Sequence, residues 1–393
     1  MFHKLINPSP DLKRLSDEGY ELEIKGGYML VHHVPYVNAK REIKYGTLVS
    51  SLTLSGDKTT KPDNHVIYFI GEHPCNIDGT IIQAIRHTSS NQILDANHGI
   101  TVNHSFSNKP KDGFNNYYEK ITSYIAVISH HACALDESVK VTTFKVIHST
   151  EANSVFKYVD TNSSRAEINN ISSKLENLRI AIIGLGGTGS YVLDFLAKTS
   201  VKEIHLFDGD VFLQHNAFRA PGAASIEQLV EQPKKVNYFY GIYSKMRDSI
   251  FPHGYDLNAL NVEQLVSMDF VFICIDDGET KRIILGKLLS AGIPFVDTGI
   301  GVQVLDGALT GSVRVTTGTK KKSDHISTRI PFNDDANNDY SKNIQIAELN
   351  ALNAILAILR WKKLFGIYHD FEKEHNSVYE ININQLMNDE AVT

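Results

Sequence analysis

"IIGLGGTGSYVLD", residues 182–194, decides how the chain is read. An apolar run, Ile180 to Ile183, falls into Gly184, Gly186, Gly187 and Gly189 and then into an amphipathic segment. The order is strand, glycine turn, helix N-terminus. A doubly wound fold receives a phosphate there, because the first helical N–H groups and the helix dipole both face it. The same spacing satisfies the dinucleotide pattern G-x-G-x-x-G, so alone it leaves the nucleotide open.

Working outward, strand and helix signals alternate. Strands are expected at "LRIAIIG", "EIHLFDGD", "DFVFICID" and "PFVDTGIGV", with helices at 188–199, 226–246 and 279–291. That alternation implies a mostly parallel sheet with right-handed crossovers. "GALTGSVRVTT" then reads as antiparallel strands, followed by a polar stretch at 316–343 and a long helix at about 343–365. The helix is apolar all round, as a helix in a core or a subunit interface is. Residues 1–150 differ. Their β-rich runs "GYMLVHHV", "TLVSSLTL", "HVIYFIGEH", "SYIAVISHH" and "VKVTTFKVI", with a helix opening at Pro10-Asp11 and another over about 112–123, imply an α+β domain. The expected organisation is an α+β domain at 1–150, a linker at 151–177, a Rossmann-like α/β domain at 178–370 and a C-terminal tail at 371–393.

Composition narrows the classes. A formal charge of −6 provides no basic footprint for nucleic acid. No run approaches the ~20 apolar residues of a membrane span, and the start lacks a signal core, so no membrane partner and a cytoplasmic location are expected. Three cysteines, Cys75, Cys133 and Cys274, without a CxxC pair exclude a disulfide scaffold and a four-cysteine zinc site. His73, Cys75, His130, His131 and Cys133 could still supply four zinc ligands if the fold joined them.

The residues after the glycine loop separate the nucleotide readings. "LFDGDVFLQHNAFR" carries Asp208, Asp210, Asn216 and Arg219; "EQPKK" supplies Lys234; "CIDDGETKR" supplies Asp276 and Asp277. A nicotinamide site needs an acid for the ribose and an apolar pocket for the ring. It has no use for a second acidic pair with Arg and Lys near the phosphates. Transfer at the α-phosphate of ATP does, because Arg, Lys and carboxylate-held Mg²⁺ stabilise the charge that builds on the phosphoryl oxygens. An NAD(P)-dependent oxidoreductase and a non-catalytic nucleotide-sensing scaffold are the alternatives.

Residues 178–370 resemble the adenylating domain shared by ThiF, MoeB and the ubiquitin-activating enzymes, which reads GxGGxGS, D-x-D, N-x-x-R, Lys, then D-N or D-D. Here "GLGGTGS", "FDGD", "NAFR", "QPK" and "CIDDG" occur in that order. The resemblance implies ATP-dependent adenylation of the C-terminal glycine carboxylate of a ubiquitin-like protein, with ATP and Mg²⁺ as cofactors. A conjugating or sulfur-transfer protein would be a further partner. It implies that Gly184, Gly186, Gly187 and Gly189 approach the triphosphate and that Asp208 binds the ribose with Asp210 beside it. Asn216, Arg219 and Lys234 would contact phosphates, Arg219 and Lys234 catalytically, and Asp276 or Asp277 would hold magnesium. Arg165 resembles the arginine that reaches a partner subunit's ATP, and the helix "QIAELNALNA" resembles the family's dimerisation helix, so a homodimer is expected. The family's thioester cysteine has no counterpart after Asp297.

"DNHVIYFIGEHPCNIDGTII", residues 63–82, resembles the ubiquitin-conjugating fold in His73, Pro74, Asn76, Ile77, Gly79 and Ile81, with Ile82 where the nucleophile would stand. Cys75, in a turn beside His73, is the candidate thioester acceptor. A substrate- or partner-recognition domain is the other reading of residues 1–150.

Overall fold

The computed structural model describes residues 6, 8–56, 58–146, 154–166, 168–332 and 344–391. The chain divides into two compact units, Met1–Ile147 and His148–Thr393.

The first unit holds helix α1 (Pro10–Asp17), strands β1 (Glu21–Lys25), β2 (Tyr28–Val37), β3 (Ile43–Ser51), β4 (Val66–Ile70), β5 (Arg86–Asp95) and β6 (Ile100–Ser107), and helix α2 (Tyr117–Leu135). The sheet is antiparallel in the order β1-β2-β3-β4-β6-β5. Asn116 caps α2 by accepting the Glu119 N–H at 2.9 Å, and Asp11 ties α1 to its first turn by accepting the Tyr117 N–H at 2.9 Å. Tyr117, Ile121, Tyr124, Ile125 and Ile128, at helical spacing, are buried against Val31, Leu48, Phe69 and Phe106. "SYIAVISHH" is therefore helix rather than strand. Its β-branched residues suggested a strand, but the 3.6-residue burial pattern prevails. "VKVTTFKVI" forms no strand over its described residues, 139–146. Residues 86–92 of β5 are polar and gave no strand signal, whereas β6 alternates and buries Ile100, Val102 and Phe106.

Lys120 on α2 is wholly buried and, among the described residues, bonds only neutral groups, Ser50 Oγ at 3.0 Å and the Asn64 carbonyl at 3.1 Å. Burial lowers its pKa from 10.5 to about 8, against a smaller opposing pull from Asp63. Unfolded chains keep the proton up to the higher value. Between about pH 8 and 10.5 the unfolded state binds more protons, so stability should rise with pH across that window. Pulse proteolysis of the full chain in urea, following fragments of residues 10–146, should show this rise, and Lys120→Met should flatten it. A wild-type slope that survives the substitution would assign the effect elsewhere.

The second unit holds β7 (Arg179–Ile183), α3 (Gly187–Ala197), β8 (Glu203–Phe207), α4 (Lys235–Tyr243), β9 (Ile250–His253), β10 (Phe270–Ile273), α5 (Gly278–Ala291), β11 (Phe295–Leu305), β12 (Ala308–Gly318), α6 (Ala347–Leu364), β13 (Asn376–Glu380) and β14 (Gln385–Asp389). The strand order is β9-β8-β7-β10-β11-β12-β13-β14. The first five are parallel and the last three antiparallel. A Rossmann-like α/β domain thus follows a smaller α+β domain. Chain order reverses direction at β7 and β10, which opens a crevice beyond their carboxyl ends.

Two expectations change here. The helix at 226–246 is two, Ile226–Glu231 and α4, because Gln232 turns left-handed (φ 46°) and Pro233 can neither donate nor fit inside a helix. The tail at 371–393 is not a tail. It contributes β13, paired to β12 from Asn376–Thr316 to Glu380–Ser312, and β14, paired to β13. α6 packs between α3 and β11–β12, burying Ala354, Ala357, Ile358 and Trp361, while Ile355 and Leu359 stay exposed. Among the described residues no helix is long and apolar enough to cross a membrane.

Candidate active site

The glycine loop is folded tightly on its surroundings. Gly184 has φ +86°, and a Cβ there would lie 2.6 Å from the Cys274 carbonyl oxygen; a Cβ on Gly189 would overlap the Gly184 carbonyl. Only glycine lets β7, the turn and α3 close on β10 in this way. Gly186 differs, since a Cβ there would meet nothing within 4 Å although the residue lines the crevice. The open space lies at the N-terminus of α3, where a phosphate fits.

A cavity of about 320 Å³ occupies the crevice, and Gly184, Asp208, Arg219, Lys235, Asp276 and Arg314 are among its lining residues. Asp208 is buried and spends both oxygens on the protein. Oδ2 accepts the Leu185 N–H at 2.7 Å, Oδ1 accepts the Asp210 N–H at 2.9 Å, and Lys235 Nζ is 3.4 Å from Oδ2. Its carboxylate thus clamps the glycine loop to the following turn. Asp210 has an exposed carboxylate, 2.6 Å from Lys235 Nζ.

Sequence reasoning selected Lys234, but the structure places Lys235 at the site. Residues 233–235 run beside 210–212, with Phe212 N–H bonded to the Pro233 carbonyl at 2.7 Å and Lys235 N–H to the Asp210 carbonyl at 2.9 Å. Neighbours in an extended strap point to opposite sides. Lys235 enters the cavity, while Lys234 reaches the Gly254 carbonyl on the outside. A signal existed: Lys235 falls on the buried face of α4 with Val236, Phe239 and Tyr243.

The two aspartates after β10 also separate. Asp277 caps α5, accepting the N–H groups of Glu279 at 3.0 Å and Thr280 at 3.3 Å and the Thr280 hydroxyl. Those donors hold its carboxyl below the usual carboxylate range. Asp276 lines the cavity instead. Arg219 lines it too. Its Nε is buried without a partner, and burial lowers its pKa while the nearby Asp276 opposes the shift. Asn216 does not line the cavity. Its Oδ1 accepts the Leu213 N–H at 2.8 Å, fixing the turn that presents Arg219.

Three other candidates fare differently. Cys75 is 1% exposed, paired in short bridges to Val37 and Ile81, and its thiol donates to the His73 carbonyl at 3.3 Å. Burial first, then Asp78 and Glu72, push that thiol up. A buried thiol held protonated is a poor nucleophile, so the thioester role is withdrawn. Burial pushes the Cys274 thiol up to about 12, in keeping with a core residue. Arg165 closes a short helix, Thr161–Arg165, and its side chain lies outside the described residues. Among the described residues no group of three or more His, Cys, Asp or Glu could hold a metal, which removes the zinc alternative there.

Sequence reasoning missed one cluster. Asp297, on β11 and wholly buried, has Arg314 Nη2 2.6 Å from Oδ2 and Lys281 Nζ 3.1 Å from Oδ1, the latter an ion pair whose angle falls short of a hydrogen bond. The three residues come from β11, β12 and α5, so no local spacing announces them.

A doubly wound sheet with a glycine loop, acids and cations around its switch point defines a nucleotide-binding domain. The chain belongs to the ThiF family, which matches residues 159–391, more than half of the chain. Residues 10–161 match a domain of unknown function, DUF6791. The chain is 23% identical over 151 residues to ubiquitin-like modifier-activating enzyme 5 of Aedes aegypti, covering 35% of this chain and 38% of that protein. Its namesake in Culex quinquefasciatus is 22% identical over 144 residues, covering 33% and 35%. The match thus spans little more than a third of the curated relatives' length. The solved structure of E. coli MccB with ATP aligns with a TM-score of 0.45 and 17% identity, over 58% of this chain and 71% of that one.

Proposed function

We propose that the chain is an adenylyltransferase that uses ATP to activate the C-terminal glycine carboxylate of a ubiquitin-like protein, releasing pyrophosphate. The observation that carries this reading is the convergence of Arg219, Lys235, Asp210 and Asp276 on the open space over Gly186. Cations and carboxylates set together beside a phosphate loop serve phosphoryl chemistry, whereas a hydride-transfer site would use a cation only to hold a cofactor phosphate. The unpartnered Arg219 Nε is a buried donor that a phosphate oxygen would satisfy. ATP–pyrophosphate exchange in the presence of the cognate ubiquitin-like protein tests the reading, and hydride transfer without exchange would overturn it.

Magnesium fits the same set. It binds through one or two carboxylates plus phosphate oxygens, so the absence of a larger ligand cluster among the described residues does not oppose it. Asp276, with its carboxylate at the cavity, would hold the ion, which would neutralise phosphate charge; Asp277 is occupied by its cap. For the first unit, which lacks an accessible nucleophile at Cys75, recognition of the substrate or of a conjugating or sulfur-transfer partner is the reading retained.

The proposal includes a homodimer. Ile355 and Leu359, 40% and 39% exposed one helical turn apart on α6, form an apolar stripe of the kind a two-fold partner covers. Light scattering at micromolar concentration should give twice the chain mass, and Ile355→Glu with Leu359→Glu should give a monomer. A monomeric wild type with full exchange activity would refute the dimer.

A further inference from the structure

We infer that Lys281 and Arg314 form the seat for the substrate's free carboxylate, at the opposite end of the cavity from Asp208 and Asp210; the inference rests on the adenylation reading. The cavity runs past the ends of β8, β7 and β10 and over the middles of β11 and β12, in that order. Arg314 springs from β12, but its guanidinium folds back over Gly299 of β11, three strand spacings or about 14 Å from β8, so a carboxylate on its near side would lie toward the α-phosphate.

Charge is uneven along that path. Around the glycine loop three carboxylates, Asp208, Asp210 and Asp276, face two cations, Arg219 and Lys235. At the far end, among the described residues, two cations share the carboxylate of Asp297. Among the described residues the far end therefore carries an excess positive charge, with Lys281 at 5% and Arg314 at 15% side-chain exposure. A buried, uncompensated charge is costly, and an incoming anion removes that cost.

The guanidinium is held ready for one. Nη2 is fixed by Asp297 and Nη1 by the Thr316 hydroxyl, which in turn donates to Asn376 Oδ1 at 2.7 Å. Gly299 makes room for it, because a Cβ there would lie 2.8 Å from Nη2. A planar, pre-oriented fork suits a carboxylate. Asn353 stands on the same wall. Its Nδ2 donates to the Gly299 carbonyl at 3.0 Å, and its Oδ1 is buried without a partner. An unpaired acceptor beside an anion seat is the complement of a peptide's last N–H and carboxylate.

Glycylglycine and its C-terminal amide are the probes, measured by saturation-transfer NMR on the full chain with and without a non-hydrolysable ATP analogue. The free acid should bind and the amide should bind at least about tenfold more weakly, the value of a lost charge-assisted contact. Arg314→Gln should remove the distinction, Arg314→Lys should restore part of it, and the affinity for the ATP analogue should stay unchanged in both. If Arg314→Gln fails to fold, Lys281→Gln carries the same comparison. Equal binding of acid and amide by the wild type, or undiminished preference in the variants, overturns the seat. Failure of the ATP analogue to bind faults the nucleotide reading instead, while the comparison without nucleotide still decides the seat.

Discussion

Lys235→Ala will slow ATP–pyrophosphate exchange by about 10²–10³-fold, the usual cost of removing a charge-stabilising group from a phosphoryl site. Lys234→Ala will leave exchange close to the wild-type rate. The two residues are neighbours of the same type, so composition, charge and local propensity hardly change between the variants. They differ in direction: one Nζ lies 2.6 Å from Asp210 Oδ2 inside the cavity, and the other bonds the Gly254 carbonyl outside it. Arg219→Ala should match Lys235→Ala in rate, and ATP binding should weaken less than the rate does. A slow Lys234→Ala enzyme beside a normal Lys235→Ala enzyme would reverse the assignment.

The second large effect splits Asp276 from Asp277. Asp276→Asn should slow exchange by about 10²-fold or more, with a raised magnesium requirement, because the variant keeps the shape and loses the charge that would hold the ion. Asp277→Ala should behave in the opposite way. It removes the cap of α5 and should cost about 1 kcal/mol of stability while exchange survives. Exchange rates at saturating magnesium together with urea midpoints read both outcomes. Loss of exchange in Asp277→Ala with an unchanged midpoint would exchange the two roles.

Both splits show where sequence ceases to suffice. The glycine loop was legible because each glycine answers a local demand: Gly184 a left-handed φ, Gly189 a contact with the loop before it. The parallel core was legible because β7 and β10 are buried on both faces and read as unbroken apolar runs. Lys234 against Lys235 is a register question, and one residue of slip inverts the side. Asp276 against Asp277 turned on a cap, and "DDGET" does contain that signal, since the acid immediately before the first helical residue is the one that caps. The β11–β12 hairpin was legible, its two-residue turn being Asp306-Gly307 with both residues at positive φ. The cluster of Asp297, Lys281 and Arg314 also needs α5 to bring Lys281 to that hairpin, a tertiary event with no local mark. β9, four residues containing a proline, and β5, polar over residues 86–92, lacked the alternation by which a strand is recognised.

Asn376 has a meaning for the order of synthesis. Its Oδ1 holds Thr316, and Thr316 holds Arg314, so the far wall of the cavity is braced by a strand made more than 180 residues after the glycine loop begins. A nascent chain that has reached α6 already possesses the loop, Lys235 and Asp276, the residues proposed to hold the nucleotide. It lacks the brace that fixes the guanidinium. The two halves of the cavity therefore mature at different times, nucleotide side first, and the carboxylate side becomes competent only when residues 376–380 have paired with β12.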